Sequence, residues 1–266
     1  MDYKEVKRGY PDRPAHVISI INQKGGVGKS TTAVNLSAYL GENRKKVLVL
    51  DFDPQGNTTS GYGIDKEGLD ADVYDALLHD YEIENLIIPT CQNYVYMIPA
   101  TIQLAGAEIE LVSKVSRETI LKGILDPIRD GFDYVFIDCP PSLGLLTVDA
   151  LVASDSLLIP IQCEFYALEG VTKLLESMKM VRGNLNPDLD VFGVLMTMYD
   201  GRTTLSKQVV EEVRNYFGNR VFKTVIPRSV KLSEAPSHGV PINLYSRINK
   251  GAVAYSKLAK EVMRRG

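Results

Sequence analysis

Eight residues near the amino terminus, QKGGVGKS at 23–30, have the composition of a phosphate-binding loop. In the general pattern G-x-x-x-x-G-K-[ST], backbone N–H groups surround the phosphates, the lysine reaches the outer phosphates and the hydroxyl holds Mg²⁺. Lys29 and Ser30 occupy the last two positions, but Gln23 replaces the first glycine and a second lysine, Lys24, lies inside the loop. Because Lys29 already supplies the local charge, Lys24 is spare, structural, or directed at something other than its own nucleotide.

Three aspartates follow apolar runs and could supply the carboxylates that organise Mg²⁺ and water. Asp51 and Asp53 end the run KVLVLDFD, and the alternation of a strand puts them on the same side. Asp138 ends the run YVFID. Ligands of parallel sheets bind at the carboxyl ends of strands, so we expect these carboxylates near the Ser30 hydroxyl. Taken alone, each aspartate is also compatible with a simple loop or helix cap.

The segments that flank the loop are those that a phosphate site needs. A β-branched run, HVISII at 16–21, precedes it, and residues 30–41 follow without Pro or Gly until Gly41. The first segment reads as a buried strand and the second as a helix. The helix N-terminus adds its dipole to the binding of an anion, so the context supports the motif.

The same alternation continues along the chain and predicts the fold. We expect strands at 16–21, 46–51, 94–98, 134–138, 156–160, 191–197 and 221–226, and helices near 30–41, 103–112, 116–129, 167–182, 204–217 and 250–264. This order predicts an α/β fold with one doubly wound, mostly parallel twisted sheet and helices on both faces. Because no repeat or long linker interrupts the pattern, we expect a flexible tail at 1–15 and a single P-loop domain at 16–266.

Composition narrows the functional classes. The apolar runs are strand-sized, so no segment is expected to span a bilayer, and residues 1–15 lack the apolar core of a secretory signal. The three cysteines, Cys91, Cys139 and Cys163, are far apart in sequence and form no C-x-x-C pair. This spacing favours a reducing compartment and argues against a zinc or iron–sulfur site built from one chain.

Charge is distributed unevenly along the chain. Residues 202–266 contain 13 Lys/Arg and 4 Asp/Glu, whereas the net charge of the whole chain is −3. This polarity is typical of a basic face on an acidic protein, and it is equally compatible with ordinary solvated lysines.

Seven strings distributed over nearly the whole chain carry a family resemblance. They are QKGGVGKST, DFDPQGNTT at 51–59, ATIQLAGAEIEL at 100–111, FDYVFIDCPPSLGLLT at 132–147, CEFYALEG at 163–170, LMTMYDGRT at 195–203 and IPRSVKLSEAPSHGVPI at 226–242. The chain resembles the ParA/Soj family of chromosome and plasmid partitioning ATPases, which have a deviant Walker A loop. The KGGVGK loop alone would also fit MinD-type membrane switches and iron–sulfur carriers or reductases.

The resemblance implies a site shared between two subunits. Members of this family dimerise around two ATP molecules, and the residue at the position of Lys24 reaches the phosphates held by the partner. A cation there stabilises charge that develops on the transferred phosphoryl group. Gly25 would then lie where the two loops meet, so a side chain at this position would hold the subunits apart.

The resemblance also assigns the other site residues. Asp53 would orient the attacking water, and Mg²⁺ would be held by Ser30, with Asp51 and Asp138 supporting it. Met198, Pro227 and Arg228 would contact the adenine, although plain core packing explains Met198 as well. ATP would lie against the loop formed by Lys24, Gly25, Gly26, Val27, Gly28, Lys29, Ser30 and Thr31.

The expected partners follow from the same family. The ATP dimer would bind double-stranded DNA without sequence preference, and a ParB-type centromere-binding protein would stimulate slow hydrolysis. The protein is therefore expected in the cytoplasm, associated with the nucleoid and not with membranes. The resemblance implies DNA contacts from Arg202 and Lys231, and their basic neighbours are Lys207, Arg228, Arg247 and Lys250.

Overall fold

Seven strands form one sheet in the computed structural model, which describes residues 14–165 and 167–265. In chain order the strands are β1 His16–Ile20, β2 Val47–Asp51, β3 Ile88–Pro89, β4 Val95–Ile98, β5 Tyr134–Asp138, β6 Ser156–Gln162 and β7 Asp190–Thr197. Their spatial order is β3-β4-β2-β5-β1-β6-β7. All neighbours are parallel except β3 and β4, so the carboxyl ends of the other strands share one edge.

Helices connect the strands and cover both faces of the sheet. They are α1 Lys29–Glu42, α2 Asn57–Gly61, α3 Val73–Leu78, α4 Leu104–Glu110, α5 Ile120–Leu125, α6 Leu145–Ala153, α7 Glu169–Asn184, α8 Thr204–Phe217, α9 Val230–Glu234, α10 Ile242–Tyr245 and α11 Lys250–Arg265. The predicted doubly wound α/β class is confirmed. Within the described residues, no helix is long and apolar enough to cross a membrane.

Two apolar cores lie on opposite faces of the sheet because successive strand residues point to opposite sides. Val17 belongs to the core covered by α3 to α8, whereas Ile18 belongs to the core covered by α1 and α11. On the second face, Leu36 of α1 and Leu258 of α11 are fully buried. The helix that follows the glycine loop is therefore held rigidly between the sheet and α11.

The prediction of a strand at 221–226 is wrong. Phe222 and Ile226 donate backbone hydrogen bonds to β7 residues, but the segment forms only an isolated bridge and no regular strand. The backbone N–H groups of Lys223 and Thr224 donate instead to the Glu261 carboxylate at 2.7 and 3.1 Å. This side chain of α11 therefore takes the bonds that a further strand would need.

One helix prediction also differs from the structure. The helix expected at 116–129 contains α5 and separate 3₁₀ turns at Arg117–Thr119 and Arg129–Gly131. Asp126 is still helical and its N–H donates to the Lys122 carbonyl oxygen at 3.0 Å, but Pro127 has no backbone N–H with which to continue the hydrogen-bond ladder, so α5 ends early. No helix was predicted in the segments that form α2, α3, α6, α9 and α10. The predicted flexible tail lies almost wholly outside the described residues, and the single-domain boundary stays a prediction.

Asp149, on α6, is a buried carboxyl group outside the loop region, and neither of its oxygens has a hydrogen-bond partner among the described residues. Burial raises the pKa of Asp149 to about 8 from its ordinary value of 3.8. A raised pKa in the folded state means that its contribution to stability is complete below about pH 4 and is lost as the pH rises through about 8.

We therefore expect Asp149→Asn to flatten part of the pH dependence of stability. The free energy of unfolding of the variant, relative to the natural chain, should increase between pH 4 and 8 in urea titrations. A difference that does not vary with pH would contradict the burial of an ionisable carboxyl group at this position.

Candidate functional site

The glycine loop connects β1 to α1 at the carboxyl edge of the sheet. Gly26 and Gly28 have φ angles of +73° and +92°, a region that other residues adopt only with strain. Gly28 is the N-cap of α1 and provides no side chain, so the first N–H groups of the helix remain available to an anion. The Thr197 hydroxyl donates to the Val27 carbonyl oxygen at 2.8 Å and fixes the loop against β7.

A cavity of about 780 Å³ opens above this loop, which is large enough for a nucleotide. One wall comes from the loop and α1, a second from the segment after β2, and a third from the segments after β7 and before α9. The predicted residues that line it are Gly25, Gly26, Gly28, Lys29, Ser30, Thr31, Asp53, Met198, Pro227 and Arg228. The chain thus brings together phosphate, water-orienting and adenine candidates that are far apart in sequence.

Lys29 and Asp138 form the charged floor of the site. Lys29 is buried, and this burial lowers the pKa of its ammonium, while the nearby Asp138 acts in the opposite direction. Burial raises the pKa of Asp138 to about 6, and Thr58, Ser30 and Lys29 oppose that rise. Two strands and the loop therefore place a carboxylate, an ammonium and a hydroxyl within electrostatic reach of one another.

The two strand-end carboxylates have different hydrogen-bond environments. Asp51 Oδ2 accepts bonds from the Thr59 N–H and hydroxyl, each at 2.7 Å, and Oδ1 accepts the Asp53 N–H at 3.3 Å. Burial and the charge of Asp138 raise the pKa of Asp51 to about 8. Asp138 Oδ2 accepts the Thr58 hydroxyl at 2.7 Å, but its buried Oδ1 has no hydrogen-bond partner among the described residues. Asp138 therefore retains an oxygen that fits a bound cation, whereas Asp51 holds the segment after β2.

Asp53 lies in the cavity wall at the start of that segment and is 6% exposed. Its Oδ1 accepts the Gln55 N–H at 3.0 Å, which leaves Oδ2 for another contact. Lys66 donates to the Gln55 carbonyl oxygen at 3.0 Å and braces the same turn. Thr58, Thr59 and Lys66 were not among the predicted site residues, although the consecutive threonines in DFDPQGNTT were a visible signal.

Lys24 lies at the rim of the site, where its ammonium donates to Glu164 Oε2 at 2.9 Å. This bond directs the side chain toward the turn after β6 of its own chain. At Gly25, an added Cβ would meet no described atom within 4 Å, and the φ angle is not in the left-handed region. Packing within the described residues therefore does not require glycine at position 25.

The predicted adenine residues form a wall fixed by backbone hydrogen bonds. The Tyr199 N–H donates to the Ile226 carbonyl oxygen at 3.0 Å, and the Arg228 N–H donates to the Tyr199 carbonyl oxygen at 3.1 Å. Met198 has a φ of +51°, which is uncommon for a residue with a side chain. These bonds join the segment after β7 to the segment before α9, and Met198 and Pro227 both line the cavity.

Three of the six basic residues predicted to bind DNA form ion pairs with acids. Arg202 donates to Asp200 at 2.6 Å, with Lys250 near the same carboxylate, and Lys231 donates to Glu234 at 2.8 Å. Arg247 approaches Glu42 at 3.5 Å, at the far end of α1 from the loop. Lys207 is exposed on α8. The structure therefore clusters Arg202 with Lys250 and sets Arg247 apart.

Neither alternative site is supported by the described residues. Cys139 and Cys163 are buried, burial raises the pKa of each thiol to about 12, and no group of three potential metal ligands is found among the described residues. In α11, Leu258 and Val262 are buried in the core, so this face of the helix is not available to a membrane.

The contact between Thr58 and Asp138 leads to a testable expectation. Thr58→Val removes the hydroxyl donor and leaves the buried carboxylate oxygen unpaired, which should destabilise the protein by about 1–3 kcal/mol in urea titrations. Thr58→Ser keeps the hydroxyl and should retain most of the stability. Equal stability of the valine variant and the natural chain would contradict the role of this hydrogen bond.

Comparisons with known proteins agree with this geometry. Residues 15–191 match the family model described as an AAA domain. The chain is 56% identical to the sporulation initiation inhibitor protein Soj of Bacillus subtilis over 94% of this chain and 99% of that protein. It is 51% identical to the chromosome partitioning protein ParA of Myxococcus xanthus, over 94% and 88% respectively.

A solved structure of cobyrinic acid a,c-diamide synthase from Mycobacterium smegmatis, with bound ADP and magnesium, superposes with a TM-score of 0.83. It is 38% identical and covers 94% of each chain. The glycine loop, the strand-end aspartates and the extent of identity to Soj and ParA lead to one conclusion: the chain belongs to the ParA/Soj family of chromosome-partitioning ATPases.

Proposed function

We propose that this chain is a Mg²⁺-dependent ATP hydrolase that dimerises around ATP and binds DNA as the dimer. The observation that carries the proposal is the convergence of Lys29, Ser30 and Asp53 on one cavity above the glycine loop, with the buried Asp138 close to Lys29 and Ser30. The B. subtilis and M. xanthus relatives are named for sporulation control and chromosome partitioning, and the M. smegmatis structure holds ADP and magnesium. We infer a partitioning role from these relatives.

The residues that line the cavity suggest which of them would hold the phosphates, the adenine and the Mg²⁺ of a bound MgATP. The α1 N-terminus and Lys29 would bind the phosphates, and Met198 and Pro227 would flank the adenine. Asp138 Oδ1, which is buried and unpaired among the described residues, fits Mg²⁺ together with the Ser30 hydroxyl. A bound Mg²⁺ would neutralise phosphate charge.

Asp53 is proposed to orient the attacking water. It lies in the cavity wall, and one of its oxygens is not engaged by the Gln55 N–H. Thr59, through Asp51, and Lys66, through the Gln55 carbonyl, brace the turn that carries it. Lys24 is proposed to reach the phosphates bound by a second subunit, with Gly25 at the contact between the two loops.

Dimerisation would join two basic faces and so double the number of phosphates engaged on DNA. Arg202, Lys250, Lys231 and Lys207 are proposed contacts, and Arg228 and Arg247 are candidates at the edges. A ParB-type partner is proposed to stimulate hydrolysis, and association of the ATP dimer with DNA would place the protein on the nucleoid.

Replacement of Asp53 tests the hydrolytic assignment. Asp53→Ala should reduce ATP turnover by a factor of about 10² or more, because the water is no longer oriented, while ATP affinity changes by only a few-fold. Asp65→Ala, at an acid beyond the same segment, is the matched control. The assignment is rejected by an Asp53→Ala variant that hydrolyses ATP at the natural rate.

Measurements of DNA binding at several salt concentrations test whether DNA binding depends on ATP. With random-sequence duplex DNA, we expect binding with ATP and little with ADP or without nucleotide. Arg202→Ala should weaken ATP-dependent binding and reduce the slope of log K against log [salt] by about 1 for each phosphate that Arg202 neutralises. Lys173→Ala, at an exposed position on α7, should bind as the natural chain does. Binding that is independent of ATP, or absent, would contradict the proposal.

A further inference from the structure

Glu164 determines where the Lys24 ammonium lies in the single subunit. Glu164 Oε2 accepts a hydrogen bond from Lys24 Nζ at 2.9 Å. Its second oxygen, Oε1, accepts a hydrogen bond from the side-chain amide of Gln162. The lysine is therefore directed toward the connection between β6 and α7 of its own chain, and the glutamate is itself held from the other side.

The position of Glu164 depends on strands and not only on a surface turn. Gln162 is the last residue of β6 and pairs in register with Thr197 of β7. The Cys163 N–H donates to the Thr197 carbonyl oxygen at 3.1 Å, while the Thr197 hydroxyl donates to Val27 in the glycine loop at 2.8 Å. Thr197 thus links the loop and the turn that bears Glu164, and strand geometry sets the distance between them.

The backbone of Lys24 is anchored to the same strand. Its N–H donates to Asn22 Oδ1 at 3.0 Å, and the buried Asn22 amide donates to the Pro160 carbonyl oxygen in β6 at 2.7 Å. The lysine stem is a flexible chain of four carbons, so the ammonium can leave Glu164 by side-chain rotation while the loop keeps its conformation. The Lys24 ammonium can therefore bind either Glu164 or a different anionic group without a change in the backbone of the loop.

We propose that Glu164 is a positioning residue that retains Lys24 within its own subunit until phosphates bound by a second subunit compete for the ammonium. This inference rests on the proposed role of Lys24 in the ATP dimer. A triphosphate carries several negative charges and Glu164 carries one, so transfer is favoured when ATP occupies the facing site. The Lys24 and Glu164 side chains are 40% and 45% exposed, so the pair sets a threshold that ATP can overcome.

The exposure of the Lys24–Glu164 ion pair sets the free energy that dimerisation must supply to break it. An exposed ion pair changes an equilibrium constant by a factor of about 1.4 to 5. Two such pairs break when one dimer forms. Removal of the carboxylate should therefore tighten the ATP dimer by about 2- to 30-fold in Kd.

Two measurements on the full chain test the inference. The first is the dimer Kd by sedimentation equilibrium with Mg²⁺ and a non-hydrolysable ATP analogue, and the second is the rate of amine acylation at Lys24 in the nucleotide-free protein, followed by mass spectrometry. We expect Glu164→Gln to tighten the dimer by about 2- to 30-fold and to accelerate Lys24 acylation. Glu176→Gln, which removes the same charge from α7, should change neither quantity.

A third variant separates positioning from a general structural effect. In a Lys24→Ala chain, Glu164→Gln should leave the residual dimer Kd unchanged, because the retained ammonium is absent. An unchanged Kd and acylation rate for Glu164→Gln in the natural background, or an equal effect without Lys24, would overturn the inference. A natural chain that stays monomeric with the analogue would instead contradict the proposed dimer, which is a distinguishable result.

Discussion

The buried carboxylate of Asp138 joins the segments on which the site depends. It ends the central strand β5, in register with Ile20 of β1 on one side and Asp51 of β2 on the other. Thr58, from the segment after β2, donates to one oxygen, and Lys29 and Ser30 of the glycine loop lie near the carboxylate. A buried carboxylate is costly unless it is paired, so these partners are held together by the same electrostatic requirement.

The same contacts connect the turn that carries Asp53 to the glycine loop that carries Lys29 and Ser30. Asp53 lies on the turn between Asp51 and Thr58, and both ends of that turn are bonded to strand-end carboxylates. The Thr58 hydrogen bond therefore ties the segment that carries Asp53 directly to the Asp138 carboxylate. The rim is built differently, because the Lys24 ammonium is bonded to Glu164 at the turn after β6. The described residues thus place Lys29 beside Asp138 and direct Lys24 toward Glu164.

The sequence was sufficient for the features that depend on local patterns. Strand periodicity, the glycine loop and the aspartates at the ends of KVLVLDFD and YVFID predicted the fold class and the cavity floor, since parallel strands bring such residues to one edge. Contacts between distant segments were not predictable. Glu261 takes the N–H groups that would have made 221–226 a strand, and the Lys24–Glu164 pair joins residues 140 positions apart. Such pairings depend on tertiary packing, and the hydrophobic periodicity of the sequence contains no information about it.

In the proposed dimer, each active site needs Lys24 from one subunit and Asp53 from the other. Mixing Lys24→Ala chains with Asp53→Ala chains tests it most directly, because each variant alone lacks one required group in every site. In a mixed dimer, the site that contains the natural Asp53 faces the natural Lys24 of its partner. We predict that ATP turnover, which is strongly reduced in either variant alone, rises on mixing. If both groups must come from the same chain, the mixture stays inactive, and that result would contradict the account.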